Sequence, residues 1–123
     1  MKSEEEEKYV RLLAKMQKAM DALLEKISIT KIILGFLDTD MYAAIGREEY
    51  EEAEAIRKEM AKRKLEMKED IDKAKNALDG TLRYHKGFKE KYLDEDGQLI
   101  IPDVSAERLI EIAIKAAKRR GDI

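Results

Sequence analysis

A chain of 123 residues is the size of one domain, and at 44% apolar it carries too much nonpolar surface to be a disordered composition. Its 25 basic and 27 acidic residues nearly balance, so overall charge does not advertise a nucleic-acid or membrane partner. The absence of Cys excludes a disulfide scaffold and a thiolate metal site, the acidic opening Glu4 to Glu7 is the wrong polarity for a secretory leader, and no apolar run reaches the ~18 residues that span a bilayer. The expectation is a single all-α domain in the cytoplasm. Residues 1–80 form a helical hairpin, and 81–123 add an aromatic segment, a turn and a C-terminal helix.

Ser3 is placed to cap a first helix, with Glu4 to Glu7 opposing its dipole. Tyr9, Leu12, Leu13, Met16, Met20, Leu23, Leu24 and Ile27 follow at steps of mostly three and four, a helical stripe. Ser28-Ile29-Thr30 interrupts that register, which predicts a kink or phase shift near Ser28 or Gly35. Asp38-Thr39-Asp40 predicts a second break, with Thr39 or Asp40 recapping a short helix to Ile45.

Gly46-Arg47 reads as a tight turn, and Glu48, Glu49, Glu51 and Glu52 open the next helix. Its stripe is Tyr50, Ala53, Ile56, Met60, Met67, Ile71, Ala74 and Leu78. The gap at Arg63-Lys64 can be filled by aliphatic stems lying along the seam. Glu54–Lys58, Glu59–Arg63 and Glu69–Lys73 are i,i+4 pairs in the favoured order. Asp79-Gly80 should stop this helix. Two arms of matched length joined by a short turn make an antiparallel, coiled-coil-like hairpin.

Tyr84, Phe88 and Tyr92 recur every four residues and share a face in a helix. Asp94-Glu95-Asp96-Gly97 is the strongest turn signal in the chain. As a calcium loop it lacks its first ligand, where Tyr92 stands, and its last, where Asp103 stands. Residues 94–102, DEDGQLIIP, also resemble the hairpin of AbrB-type DNA-binding regulators, with Gln98 where that family has a basic residue. Leu99-Ile100-Ile101 predicts a short extended segment near 98–102, ended by Pro102. Ser105 caps a last helix that Gly121 terminates. Leu109, Ile110, Ile112, Ala113, Ile114, Ala116 and Ala117 make that helix apolar over a wide arc, so it is expected to be largely buried against the hairpin or a partner.

Residues 41–60 read MYAAIGREEYEEAEAIRKEM. This stretch resembles the UVR motif, a short helical hairpin of nucleotide-excision-repair subunits and of activators of Clp-associated arginine kinases. Met41, Ala44, Tyr50, Glu51, Ala53, Ile56, Arg57 and Met60 fall where that family has Met, Ala, an aromatic, Glu, Ala, an aliphatic, Arg and an aliphatic. Lys58 stands where the family has Asp. The resemblance implies docking and dimerisation rather than catalysis, through a protein interface of Met41, Ala44, Tyr50, Ala53, Ile56, Arg57 and Met60. Arg57 would be its polar anchor, because a guanidinium can bridge carboxylates bidentately.

An enzyme is not indicated. His85 is the only histidine, no Ser and Asp are positioned with it, and Leu82 stands where a Glu-x-x-His metal site would need Glu. No cofactor or metal is expected. The favoured expectation is an adaptor or inhibitor that binds another protein, and that forms a homodimer in which two hairpins cover each other's seams. A phage- or plasmid-encoded inhibitor of a host system would also fit such a chain. The alternative is a nucleic-acid-binding accessory protein. It would use Arg83, Lys86, Lys89 and Lys91 among the aromatics, with Lys118, Arg119 and Arg120 at the C-terminus.

Overall fold

The Ser3 hydroxyl accepts a hydrogen bond from the Glu6 N–H at 3.2 Å and starts a helix that runs far past its expected breaks. In this computed structural model, which describes residues 3–81 and 86–121, the first element, α1, spans Glu4–Gly46 and is 43 residues long. The helix is not broken and recapped at Asp38-Thr39-Asp40, and it stays helical through Ser28 and Gly35. Ser28, Thr30 and Thr39 turn their hydroxyls onto the carbonyls of Leu24, Lys26 and Gly35, at 3.0, 2.9 and 3.2 Å. Bonded to the i−4 carbonyl, such side chains satisfy their hydroxyls within the helix, an arrangement that lets the helix continue while favouring a bend.

The second helix, α2, spans Tyr50–Thr81 and ends one residue past the expected Gly80. At 32 residues it is shorter than α1, so the arms are not matched. Ala53, Ile56, Met60, Ala74 and Leu78 are its buried apolar positions, with Met67 and Ile71 half-buried between them. Steps of three and four keep this seam on one face. Of the two residues expected in the gap, Lys64 is exposed and Arg63 is half-buried, its guanidinium 3.2 Å from Glu59. Glu54 is held by Arg57 rather than by Lys58.

The two long helices bury their seams against each other. One cluster joins Met20, Leu24 and Ile27 of α1 to Ala74, Leu78 and Tyr92; the other joins Leu37 to Ile56 and Met60. Each fully buried Ile or Leu here, such as Ile27, Leu37 and Leu78, is worth roughly 1.5–3 kcal/mol. Asp70, buried in the same seam, is held by Lys26 at 3.2 Å.

A short helix, α3 (Lys86–Tyr92), places Tyr92 in the first cluster, with its hydroxyl donating to Asp21 at 3.0 Å. Tyr84 and His85 lie outside the described residues, as does the side chain of Phe88. The expected turn follows: the Asp94 carboxylate accepts from the Asp96 and Gln98 N–H groups, both at 2.9 Å, and Gly97 takes φ 76°. The extended segment after it forms one isolated antiparallel bridge, Leu93 to Leu99, and no strand among the described residues.

The last helix, α4, spans Ala106–Arg120 between the two expected caps. Ser105 accepts from the Arg108 N–H, and Gly121 is left-handed at φ 83°. Its attachments fix how it lies. The Ser28 hydroxyl bonds the Pro102 carbonyl at 2.7 Å, just before α4 begins, and Arg119 near its end pairs with Asp40. From Ser28 to Asp40 α1 rises ~18 Å, close to the length of α4, so α4 runs alongside α1 in the same direction. The hairpin alone does not bury α4 as far as its apolar arc would allow. Only Ile112 and Ala116 are buried, while Leu109, Ile110 and Ile114 are 43, 58 and 42% exposed. One neighbouring helix covers one side of a wide apolar arc and leaves the rest in solvent.

Candidate functional site

The turn between α1 and α2 is built from backbone bonds. The Glu48 N–H reaches the Ile45 carbonyl at 3.0 Å, and the Glu49 N–H reaches the Ala44 carbonyl at 2.9 Å. This is a Schellman cap, and its left-handed position is Glu48, at φ 61°. Glycine usually takes that position, yet here Gly46 ends the helix and a side-chain-bearing residue makes the reversal. Buried Ala44 and Ala53 flank the turn. Their small side chains let the two backbones come close.

Around this turn the apolar residues divide. Met41, Ala44, Ala53, Ile56 and Met60 of the UVR-like stretch point inward: four are buried and Met41 is half-buried against Leu37, Ile56 and Met60. Tyr50 and Arg57 point outward. Tyr50 is 64% exposed, and it is joined at this end of the molecule by Tyr42 and Ile45, at 64 and 43%. Tyr42 and Ile45 were not among the expected interface residues, which on α1 were Met41 and Ala44 of the seam. Their i,i+3 spacing on the other side of the helix was the available signal.

The turn is also charged. Arg47 donates from Nε and Nη2 to the Glu49 carboxylate at 3.1 and 3.2 Å, which holds Glu49 below the usual carboxylate range and raises the guanidinium. The Glu52 carboxyl is pushed up, chiefly by its hydrogen bond to Glu49. Arg57 grips Glu54 with two arms, Nε to Oε2 at 2.8 Å, and lowers that carboxyl in turn. The expected anchor is thus engaged by its own helix. Both groups are in solvent, where such a pair adds little to stability, so an incoming carboxylate could replace Glu54 at small cost.

Of the residues expected to meet nucleic acid, Arg83 and the side chains of Lys86, Lys89 and Arg120 lie outside the described residues. Lys91 is exposed, with its ammonium 5.6 Å from the Tyr92 ring centroid, and Lys118 is exposed on α4. Arg119 turns inward to Asp40 and lies 3.7 Å from Glu59. Of the three aromatics, the described one, Tyr92, is core and does not offer its ring as a free stacking platform.

A cleft of about 470 Å³ opens where α1, Tyr92, residues 100–105 and the start of α4 meet. Arg108 stands at its edge. Its Nη1 pairs with Glu111 at 2.8 Å, and its Nε–H is buried with no acceptor among the described residues. Among those residues no cluster of three His, Asp or Glu side chains could hold a metal ion, and no helix is long and apolar enough to cross a membrane. The chain matches no family model, no curated protein and no solved structure.

Proposed function

We propose that the chain is a non-enzymatic protein–protein interaction module, an adaptor or inhibitor, in which α1 and α2 form an antiparallel hairpin that offers its turn to another protein. The observation that carries this reading is the outward placement of Tyr42, Ile45 and Tyr50 around the 47–49 turn, while Met41, Ala44 and Ala53 beside them face the seam. Exposed aromatic and aliphatic side chains clustered at one end of a chain are what protein interfaces use as anchors. The antiparallel hairpin is supported by the pairing of early α1 with late α2, through Lys26 and Asp70, and of late α1 with early α2, through Leu37 and Ile56.

The test is affinity capture on immobilised protein, with and without nuclease, comparing the wild type with Tyr42→Ala/Tyr50→Ala and with Arg57→Ala. These residues are exposed, so the variants keep the fold. One protein bound stoichiometrically, insensitive to nuclease and to added salt, and lost from the tyrosine variant, supports the reading. Retention by the tyrosine variant overturns it. Capture that vanishes with nuclease and falls steeply with salt transfers the function to Lys91, Lys118 and nucleic acid.

A further inference from the structure

We propose that the outer face of α4 is a self-association surface, on which α4 of a second copy packs antiparallel about a two-fold axis between Ala113 and Ile114. The inference goes beyond the turn reading and uses none of its residues. At ~100° per residue, Ile112 and Ala116 face the body of the protein. The apolar arc continues past them through Leu109, Ala113, Ala117, Ile110 and Ile114, three of which are large and exposed. The seams of α1 and α2 need no second copy, since each covers the other. Apart from the turn and the scattered Val10, Leu12, Leu65 and Ile100, the exposed large apolar residues lie on this arc.

The identity of the occupant follows from the order of side chains along the helix. With the axis between residues 113 and 114, Ile110 meets Ala117 of the second copy, and Ala113 meets its Ile114. These central layers each pair a large residue with a small one, the combination that packs a seam well. The charges agree. Glu107, Glu111, Lys115 and Lys118 line one flank of α4, acidic in its first half and basic in its second. An antiparallel two-fold sets this flank beside the same flank of the other copy. Glu111 then lies within ~3 Å, measured along the axis, of Lys115 and Lys118 of the second copy, and Glu107 equally close to its Lys118. A parallel pair puts the two charged flanks on opposite sides, where they never meet. A two-fold interface must complement itself, and this helix does so in one direction only.

The experiment is sedimentation equilibrium of the full chain up to about 100 μM, because a seam one helix long is below standard interface size and pairs weakly. The expected result is a mass that rises from one chain toward two. Ile114→Glu and Ile110→Glu should hold the mass at one chain with unchanged helicity by circular dichroism. Glu111→Lys should weaken pairing at least tenfold, and Lys115→Glu in the same chain should restore it. Direction is read by cross-linking in this Cys-free background. Ala113→Cys, near the axis, should join two copies through a short bismaleimide, and Ile110→Cys, ~10 Å from its counterpart along the axis, should not. A wild type that stays at one chain throughout overturns the proposal. So does cross-linking at Ile110 in preference to Ala113.

Discussion

The Arg119 guanidinium pairs with the Asp40 carboxylate across 79 positions of sequence and ties the end of α4 to α1. The Asp40 side chain is 8% exposed, whereas Arg119 is 40% exposed, so the carboxylate depends on the pair more than the guanidinium does. Arg119→Met should lower stability to urea by about 1–3 kcal/mol, the cost of taking a cation from a buried carboxylate. Adding Asp40→Asn should recover part of that loss. Two changes whose costs simply add would mean the groups are not coupled.

Glu48 bears a side chain in a left-handed conformation, at φ 61°. Glu48→Gly should therefore raise stability by about 0.5–1 kcal/mol, because glycine adopts this geometry without the steric penalty. A shift of the urea midpoint upward at constant slope is the expected sign. A lower midpoint would show that the Glu48 side chain does something at the turn that outweighs its strain.

The Ser28 hydroxyl has one proton and two carbonyls in reach, Leu24 at 3.0 Å and Pro102 at 2.7 Å. The shorter distance marks Pro102 as the main acceptor. Ser28→Ala should cost about 1 kcal/mol. Amide exchange should quicken in residues 99–104 while α2 is unaffected, since the lost bond is the one that fastens this segment to α1.

Burial pushes the Tyr92 phenol up to about 12, and its hydrogen bond to Asp21 and the nearby negative charge push the same way. The folded state thus favours the neutral phenol. A pKa raised above its unfolded value near 10 gives stability that is complete below pH ~10 and lost as the pH climbs toward 12. Absorbance titration of the wild type against Tyr92→Phe should show a phenolate step near pH 12 that only the wild type has. The variant's stability should also fall less between pH 10 and 12.

The UVR-like residues should separate into two groups when truncated. Ile56→Ala and Met60→Ala empty buried positions and should each cost about 2–5 kcal/mol. Tyr50→Ala should stay within about 0.5 kcal/mol of the wild type while removing partner binding. A large stability loss at Tyr50 would place it in the fold rather than at an interface.

What the sequence made legible was local. Ser3, Ser105 and Gly121 cap their helices because capping depends on a side chain and its immediate neighbours, and the Asp94–Gly97 turn follows from one carboxylate reaching two N–H groups. The α2 seam from Ala53 to Leu78 was readable because its steps of three and four needed no knowledge of the partner, but its expected first member, Tyr50, turns out to solvent. The continuity of α1 was not. Ser28 and Thr39 carry side chains that can either break a helix or bond back onto it, and long-range packing decides which. The reversal at Glu48 was hidden behind Gly46, the residue type that favours such geometry. The exposure of α4 was hidden too, because an apolar arc does not state how many neighbours will cover it. Of the turn surface, Tyr50 and Arg57 were anticipated, and Tyr42 and Ile45 came only with three-dimensional placement.

The uninterrupted α1 acts as a ruler. Residues 98–105 and α4 are fastened to it from Ser28 onward, and the turn begins after Gly46. Eighteen helical rises set these marks ~27 Å apart. The helix is continuous over that interval, so whatever is gripped at α4 and whatever is gripped at the turn are set about that far apart. An antiparallel pairing of α4 would point the two turns in opposite directions, so a dimer would reach two copies of a target that face away from each other.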